Sequence, residues 1–269
     1  MEKTIITVGK FDGQHFGHQR LFSMVRERAK DTGFKPMALS FFPDPALFFG
    51  KGARLITSYD ERRDNIGRAG FLSFASAHPW DPPQNLGFSR EISEEFWGRG
   101  HGSFVELPFS IEFSQKSPEE FMMYLAKELN CAEVVVGDDY RFGKDRTGSF
   151  EDYREYAVEL GMEVQTAPTV EIDGIRVSSS AIRGFVEEKN FEMARRFMGR
   201  KFAVHGIVTD IAGNYLIIQA PDEKLLPPDG EYRFEFREQR VNGRYIELFE
   251  LGAEKLEFQV GSGVVVWFG

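Results

Sequence analysis

The stretch TVGKFDGQHFGHQRLF, residues 7–22, follows the apolar start of the chain and leads into a segment with helical spacing. The run TIITVG that it overlaps is short and rich in β-branched residues, which is typical of a buried strand. Beyond it, Leu21, Val25 and Ala29 recur every four residues, and Gly33 ends the pattern as helix terminators do. The stretch therefore predicts a strand, a glycine-rich turn and a helix in direct succession.

Strand and helix patterns keep alternating along the first two thirds of the chain. Ser117, Pro118 and Glu120 combine an N-cap, a proline at the first helical position and a capping-box glutamate. Strands that alternate with helices pair in parallel through right-handed crossovers. We therefore predict an α/β fold with a parallel sheet and a ligand beyond the carboxyl ends of its strands. The further strands are predicted at PMALSFF (36–42), AEVVVG (132–137) and MEVQTA (162–167).

The pattern changes near Lys201, where short strands with turn signals between them take over. This pattern is typical of a small antiparallel β-barrel, so we predict one domain over residues 1–200 and a second over 201–269. Residues 71–103, which contain HPWDPP and a short helical candidate at 93–97, are predicted to form an insert. The strand candidates of the second domain are FAVHGIV, NYLIIQA, YRFEFR, RYIELFEL, KLEFQV and VVVWF.

Composition narrows the class of protein. The chain has 269 residues, 42% of them hydrophobic, which is enough for a packed core. Its net charge of −9 argues against general nucleic-acid binding. The single cysteine, Cys131, excludes an internal disulfide and fits a reducing compartment. We see no membrane-spanning run and no export signal, so we expect a cytoplasmic protein without membrane partners. The oligomeric state stays open.

The glycine-rich turn has the composition of a phosphate site. A strand that ends in such a turn points backbone N–H groups and a helix N-terminus at one spot, which favours an anion. Gly9, Gly13 and Gly17 allow the backbone to come close to a phosphate, because a side chain would hold it away. His15 and His18 can donate hydrogen bonds to phosphate oxygens whose charge grows in a transition state. Phosphoryl or nucleotidyl transfer needs mainly such positioning and charge stabilisation.

The whole string G-x-F-D-G-x-H-x-G-H, residues 9–18, resembles the HxGH nucleotidyltransferases and, more narrowly, the bacterial FAD synthetases. This resemblance covers about residues 4–70 and 104–210, and Asp44 departs from it because histidine is common at that position in the family. It implies a Rossmann-like nucleotidyltransferase domain that transfers AMP from ATP to FMN, with Mg²⁺ bridging phosphates, to give FAD and pyrophosphate. The other stretches that carry it are FFPDP (41–45), VGDDYRFGKDRTG (136–148) and RVSSSAIRGFVEEKNFEMARRFMGR (176–200).

The resemblance and the chemistry of these residues together predict the site. Ser178 is expected to cap a helix whose first turn presents Arg183, and the guanidinium fork of Arg183 would clamp the triphosphate. No side chain is assigned as a metal ligand, and Mg²⁺ is expected with ATP; Asp12 is expected to shape the loop, and a direct metal role for it stays open. The predicted catalytic residues are His15, His18 and Arg183. The predicted ATP-binding residues are Gly9, Phe11, Asp12, Gly13, Gly17, Ser179 and Ser180. The predicted FMN-binding residues are Asp139, Arg141, Phe142 and Gly143.

The second domain departs from the family. There it is a riboflavin kinase with a G-R-x-x-G-x-P-T-A-N segment, whereas no P-T-A-N occurs in this sequence. LLPPDGEY and YIELFEL still resemble barrel strands of the family, and Glu247 could align with its catalytic glutamate. The kinase's terminal helices are missing after VVVWFG, so we expect a truncated barrel without kinase activity. Two other readings stay open: an adenylyltransferase with a different acceptor, and a non-catalytic binder of flavins or nucleotides.

Overall fold

The computed structural model describes residues 2–52, 54–73, 101–212, 215–230, 232, 234–239, 246–250, 261 and 263–268. The helical candidate at 93–97, the middle of the predicted insert and the strand candidate KLEFQV lie outside these residues. Within them the chain forms a six-stranded sheet, a five-stranded sheet and a two-stranded hairpin.

The six-stranded sheet is parallel throughout, with the strand order β3-β4-β2-β1-β5-β6. This confirms the predicted α/β fold and places the first strand inside the sheet. All five residues of that strand are buried, as expected for a strand covered on both faces. The strands are β1 (Thr4–Val8), β2 (Lys35–Phe42), β3 (Phe71–Ser73), β4 (Gly102–Pro108), β5 (Cys131–Gly137) and β6 (Glu163–Ala167).

Helices on both faces of the sheet connect its strands, and their ends follow the sequence signals. The first helix ends at Gly33, whose φ of 74° is the left-handed conformation that glycine adopts without strain. Ser117 and Glu120 form the predicted capping box. The helices are α1 (Phe16–Thr32), α2 (Pro45–Phe48), α3 (Tyr59–Arg68), α4 (Ile111–Ser114), α5 (Pro118–Glu128), α6 (Phe150–Leu160), α7 (Ser179–Glu187) and α8 (Phe191–Met198), with a 3₁₀ turn at Lys144–Arg146.

Both ends of the predicted insert belong to the sheet. Phe71 pairs with Gly102, and Leu72 and Ser73 pair with the next residues of β4. The Phe71 ring is fully buried and packs against Phe22 of α1. The expectation of an insert over 71–103 is therefore wrong at its edges, because burial of Phe71 draws this short strand into the sheet. Residues 74–100 lie outside the described ranges.

The C-terminal strands form a five-stranded antiparallel sheet with the order β11-β13-β9-β10-β12. The antiparallel arrangement agrees with the sequence pattern, whereas closure into a barrel stays a prediction. Residues 225–230 of the stretch LLPPDGEY are not in a strand, which corrects that expectation. The strands are β9 (Phe202–Ala212), β10 (Tyr215–Gln219), β11 (Phe234–Gln239), β12 (Ile246–Glu250) and β13 (Gly263–Phe268); the separate hairpin pairs β7 (Glu171–Ile172) with β8 (Ile175–Arg176).

The helices α7 and α8 share a hydrophobic core with the C-terminal sheet. Ile182 of α7 and Phe197 of α8 are fully buried in one cluster with Phe202 and Val266 of that sheet. Ile56, from the loop before α3, belongs to the same cluster. The predicted limit between residues 200 and 201 therefore runs through a shared core, and the domain limits remain a prediction.

Candidate functional site

The turn between β1 and α1 lies at the carboxyl edge of the parallel sheet, where ligands of such sheets bind. Its backbone takes an unusual course, because Phe11, Gly13 and Gln14 all have positive φ angles of 52°, 82° and 34°. Only glycine adopts such angles freely, so Gly13 carries the sharpest part of the turn at no steric cost. Gly9 fixes the start of the turn through its N–H, which donates to Leu39 O at 3.0 Å.

The two histidines stand face to face at the start of α1. His15 is the N-cap residue, and its Nδ1 accepts the backbone N–H of His18 at 3.4 Å. Because Nδ1 is an acceptor, the proton of a neutral His15 ring is on Nε2, which can then act as a donor. The rings stack with centroids 3.7 Å apart and an interplanar angle of 19°. Gly17 lies between them in the first turn of the helix.

Burial keeps both imidazoles neutral at neutral pH. It lowers the pKa of His15 to about 4, and the nearby charges of Arg200 and Arg176 act in the same direction. Burial also lowers the pKa of His18 well below its usual value, with smaller contributions from His15 and Arg200. An arriving phosphate would raise both pKa values, because a nearby negative charge favours the imidazolium form. The pair is therefore poised to donate hydrogen bonds to a growing negative charge.

Asp12 ties the turn to the helix that carries Arg183. Its side chain is only 3% exposed and accepts Arg183 Nη2 at 2.5 Å and the Thr57 N–H at 3.0 Å. Burial raises the pKa of Asp12, and the guanidinium of Arg183 opposes that rise. The Oγ of Ser179 donates to the main-chain oxygen of Asp12 at 2.8 Å. Ser178 caps the helix α7 as predicted, and its N-terminus therefore meets the turn.

One predicted ATP-binding residue, Phe11, is placed differently from the expectation. Phe11 is fully buried, with its ring edge-on to His18 at a centroid distance of 5.4 Å. Its position fits support of the His18 ring rather than a direct contact with ATP. Ser180, by contrast, is exposed at the start of α7. The other members of this set, from the turn and from α7, lie close together at the edge of β1.

The loop after β5 is joined to the same region through Arg176. This arginine pairs with Asp138 at 2.7 Å and with Asp139 at 2.9 Å. It immediately precedes the segment that leads into α7, and its charge also acts on His15. Arg141 is exposed on the same loop. Three stretches that lie far apart in the sequence therefore meet at one edge of the sheet.

Phe142 and Gly143 have packing roles in the structure. Phe142 is only 4% exposed, and its ring centroid lies 3.7 Å from that of Tyr153 in the hydrophobic core. Its face is covered, which contradicts the prediction that Phe142 binds FMN. Gly143 has a φ of 70°, and a Cβ there would lie 2.6 Å from the Pro118 nitrogen. Close packing against the start of α5 therefore explains the glycine without a ligand.

A cluster of phenylalanines, absent from the sequence predictions, occupies the ends of β2 and β4. We call Phe41, Phe48, Phe49, Phe109 and Phe113 the phenylalanine cluster. Phe49 is 47% exposed, so part of this apolar surface faces solvent. Asp44 caps the helix α2 that carries Phe48 and forms an ion pair with Lys10 of the turn at 3.0 Å. The sequence feature that could have predicted this cluster is the pair of phenylalanines at 41–42 together with the pair at 48–49.

Arg200 is a second residue of the site that the sequence patterns did not identify, and it contacts the turn between β1 and α1. Its Nη2 donates to Gly13 O at 2.7 Å and to Gln14 Oε1 at 3.2 Å. These two hydrogen bonds hold the backbone of the turn in place. Burial lowers the pKa of Arg200 to about 10. Its position just after Gly199, the left-handed C-cap of α8, aims it back at the turn. A basic residue after a helix-ending glycine is common, so the sequence alone did not identify Arg200 as a residue of the site.

The described residues hold no group of three or more His, Cys, Asp or Glu side chains that could bind a metal ion. Asp12, the carboxylate nearest to the histidines in sequence, is occupied by Arg183 and Thr57. Within the same ranges, no helix is long and apolar enough to cross a membrane. The cytoplasmic location remains a prediction.

Comparisons with known proteins identify relatives of this chain. A family model described as FAD synthetase matches residues 1–181. A bifunctional riboflavin kinase/FMN adenylyltransferase from Pseudomonas fluorescens is 30% identical over 261 residues, which cover 97% of this chain and 72% of that protein. An FAD synthetase from Listeria monocytogenes is 26% identical over 231 residues, or 85% of this chain and 80% of that protein.

A solved structure shares the whole architecture. The crystal structure of a Streptococcus pneumoniae protein described as a macrolide-efflux protein matches with a TM-score of 0.74 and 22% sequence identity. The match covers 100% of this chain and 93% of that one. At this level of identity the likeness concerns the fold alone, and it supports the combination of a parallel and an antiparallel sheet in one chain.

Proposed function

The chain belongs to the FAD synthetase family, and we propose that the turn between β1 and α1 is where it transfers AMP. It is an FMN adenylyltransferase, with ATP and FMN as substrates and FAD as the product, and Mg²⁺ accompanies ATP. The observation that carries the choice of site is the stacked pair His15 and His18 at the N-terminus of α1. Asp12 joins this pair's turn to Arg183.

The reaction places specific demands on that turn. A phosphate oxygen of FMN attacks the α-phosphorus of ATP, the new P–O bond forms FAD, and the bond to the bridging oxygen of pyrophosphate breaks. Negative charge then grows on the departing pyrophosphate. The Nε2–H of His15, a ring N–H of His18 and the N–H groups of Phe16 and Gly17 in the first turn of α1 are donors suited to that charge. Their advantage is preorganisation, since the ring stack and the N-cap already hold them.

Arg183 is proposed to contact the phosphates with the part of its fork that Asp12 leaves free. Nη2 is held by Asp12, and Nε donates to Arg54 O at 3.0 Å. Nη1 has no hydrogen bond within the described part of the chain, so it can donate to a phosphate oxygen. Asp12 then acts on ATP indirectly, because it fixes the orientation of the guanidinium. The sequence analysis expected the whole guanidinium fork of Arg183 to bind the triphosphate, whereas here only Nη1 is proposed to do so.

For FMN, we propose that the isoalloxazine ring lies on the phenylalanine cluster and that Asp139 and Arg141 contact the polar groups of FMN. The cluster is the exposed aromatic surface at the carboxyl ends of β2 and β4, and Phe49 is its most open member. Aromatic faces of this kind suit a flat, mostly apolar ring. The ion pair between Lys10 and Asp44 joins this surface to the catalytic turn. Phe142 is excluded as a stacking face by its burial.

We also propose that the C-terminal sheet does not phosphorylate riboflavin. A kinase needs groups that hold the transferred phosphate and its metal ion, and the P-T-A-N motif that does so in the family does not occur in the sequence. Glu247 lies in β12, where the side chains are not among those described. In this proposal residues 1–200 carry the adenylyl transfer, and residues 201–269 are a kinase-like domain that has lost its own reaction.

The direct test of the proposed site combines product analysis with one variant. Purified protein is incubated with Mg–ATP and FMN, and flavins and pyrophosphate are quantified after chromatography. We expect FAD and pyrophosphate in equal amounts from the wild type and almost none from His15→Ala/His18→Ala. Folded wild-type protein that yields no FAD above the enzyme-free blank and transfers AMP to no other acceptor would leave only the non-catalytic binder. Transfer of AMP to another phosphorylated acceptor, with FMN untouched, would point to the alternative acceptor.

A further inference from the structure

One short segment, residues 54–58, contacts both the C-terminal part of the chain and the catalytic turn. On its C-terminal side, Leu55 forms a β-bridge with Lys224. The Leu55 N–H donates to Glu223 O at 2.7 Å, and the Leu225 N–H donates back to Leu55 O at 2.7 Å. Two main-chain hydrogen bonds therefore attach the segment to the stretch that follows β10.

The side chain of Lys224 strengthens this attachment from inside the protein. It is only 2% exposed, and its Nζ donates to Ile56 O and pairs with Glu61 Oε2 at 2.6 Å. Glu61 also accepts the Ser58 N–H at 2.9 Å. Burial lowers the pKa of Lys224, while the charge of Glu61 opposes that change. A buried lysine is stable in its charged form only with such a partner, so the arrangement has little freedom.

On the other side, the same segment holds the residues proposed to act on ATP. The Thr57 N–H donates to Asp12 Oδ1 at 3.0 Å, and Thr57 Oγ1 accepts the Gly13 N–H at 3.1 Å. Asp12 in turn holds Arg183 Nη2 at 2.5 Å. Arg183 Nε donates to Arg54 O at 3.0 Å, so the segment contacts the guanidinium directly as well.

We propose that Lys224 is a positioning residue for adenylyl transfer. It fixes residues 54–58, which fix Asp12 and Arg183, and it does so from the domain that lacks the kinase motif. The inference rests on the proposed function of the turn. It gives the C-terminal domain a part in the reaction that does not depend on kinase chemistry, because a displacement of Asp12 moves the phosphate-binding groups away from their working geometry.

The test uses Lys224→Met, with Lys189→Met as the matched control. Lys189 also donates to a carbonyl of the C-terminal part, Asp229 O at 2.8 Å, but that bond does not involve residues 54–58. We expect Lys224→Met to lower kcat for FAD formation by roughly ten- to a hundredfold, as small misplacements of reacting groups do. Lys189→Met should keep the wild-type kcat, and Lys224→Arg should recover part of the loss. A wild-type kcat for Lys224→Met overturns the proposal.

A double-variant cycle separates positioning from general loss of structure. If Lys224 acts through Asp12 and Arg183, the combined loss of kcat in Lys224→Met/Arg183→Lys is well below the product of the two single losses. Losses that simply multiply would overturn the proposed route. Should Lys224→Met fail to fold, Lys224→Arg takes its place in the cycle, because it keeps a buried positive charge beside Glu61 but changes the contact with Ile56 O.

Hydrogen exchange of the ligand-free protein gives a readout that needs no activity. The N–H groups of Gly13 and Thr57 are both donors in the proposed chain of contacts. We expect faster exchange in peptides that contain them in Lys224→Met, and unchanged exchange in Lys189→Met. Unchanged exchange in both variants would refute the role of Lys224. A wild type without FAD formation would instead refute the proposed function, so the two failures are distinguishable.

Discussion

The turn between β1 and α1 and the C-terminal sheet are held in place by different kinds of interaction. The turn is short, strained and polar, and its groups are fixed one by one through hydrogen bonds of Asp12, His15 and Arg200. The sheet is held by a hydrophobic cluster that it shares with α7 and α8. Lys224 is a buried charge at the point where the two regions meet. The order of the turn therefore depends on residues far along the chain, such as Arg183 and Arg200.

Removing the sheet should have the largest effect on the molecule. A chain cut after Arg200 keeps α7 and α8 but exposes their buried side chains, including Ile182 and Phe197. We expect it to be insoluble on expression, because a large apolar face would meet water. The matched control is a chain cut after Arg176, which lacks both helices and should be the more soluble of the two. A soluble 1–200 fragment that makes FAD would show that the two regions are independent.

The next largest effect is expected at the turn itself. His18→Ala removes one preorganised donor, so kcat should fall by about 10²–10³ while the affinity for ATP changes much less. The same change at His101, which stands at the amino end of β4 and away from the ligand edge, serves as the control. Steady-state kinetics with FMN and Mg–ATP decide the point. An unchanged kcat with a raised KM would mean that His18 binds the ground state only.

Arg183→Lys tests the link between the turn and α7. The lysine keeps the charge but cannot hold Asp12 and a phosphate with separate arms of one planar group. We expect kcat/KM to fall by roughly tenfold to a hundredfold, which corresponds to one charge-assisted hydrogen bond. Arg195→Lys, on the exposed side of α8, should behave as the wild type. Near-normal activity of Arg183→Lys would reduce Arg183 to a structural partner of Asp12.

A smaller effect is expected at the phenylalanine cluster. Phe49→Ala removes its most exposed ring, so the KM for FMN should rise by about two- to tenfold, as the loss of one aromatic contact does. The KM for ATP should not change. Val158→Ala, an equally simple truncation of an exposed side chain on α6, is the control. Equal changes in both KM values, or none in that for FMN, would place the flavin elsewhere.

The two regions also differ in how a buried histidine responds to acid. The pKa of His15 is about 4 in the folded protein, below the ordinary value of 6.5, so between these values only the unfolded chain takes up the proton. Its contribution to stability is complete above pH 6.5 and is lost as the pH falls towards 4, on the order of 3 kcal/mol. His15→Gln should therefore flatten the fall in the free energy of unfolding measured by urea titration.

His205 of β9 provides the comparison for this acid response. Burial lowers its pKa as well, but the charge of Glu61 opposes that change. We therefore expect His205→Gln to flatten the pH dependence less than His15→Gln does. A larger effect at His205 would show that the C-terminal sheet, and not the turn, is the acid-sensitive region.

The sequence was informative where structure depends on neighbours along the chain. The strand, turn and helix around His15, the cap at Ser117 and the end of α1 at Gly33 all follow from local patterns. The burial of Phe142 depends on its contact with Tyr153. It could not be predicted from the neighbouring residues, because an aromatic side chain in a polar loop can point either to the core or to the solvent. Lys224 and Glu61 are 163 residues apart, and each resembles an ordinary surface charge in the sequence. Long-range packing alone makes them a buried pair.

The contrast between the two regions is tested most directly by comparing two reactions of one preparation. FMN and riboflavin are supplied separately with Mg–ATP, and the rates of FAD formation from FMN and of FMN formation from riboflavin are measured by chromatography. We predict steady conversion of FMN to FAD and no phosphorylation of riboflavin above the enzyme-free blank. Riboflavin phosphorylation at a rate comparable to adenylyl transfer would contradict this, and would mean that Glu247 and an unrecognised phosphate loop replace the missing motif.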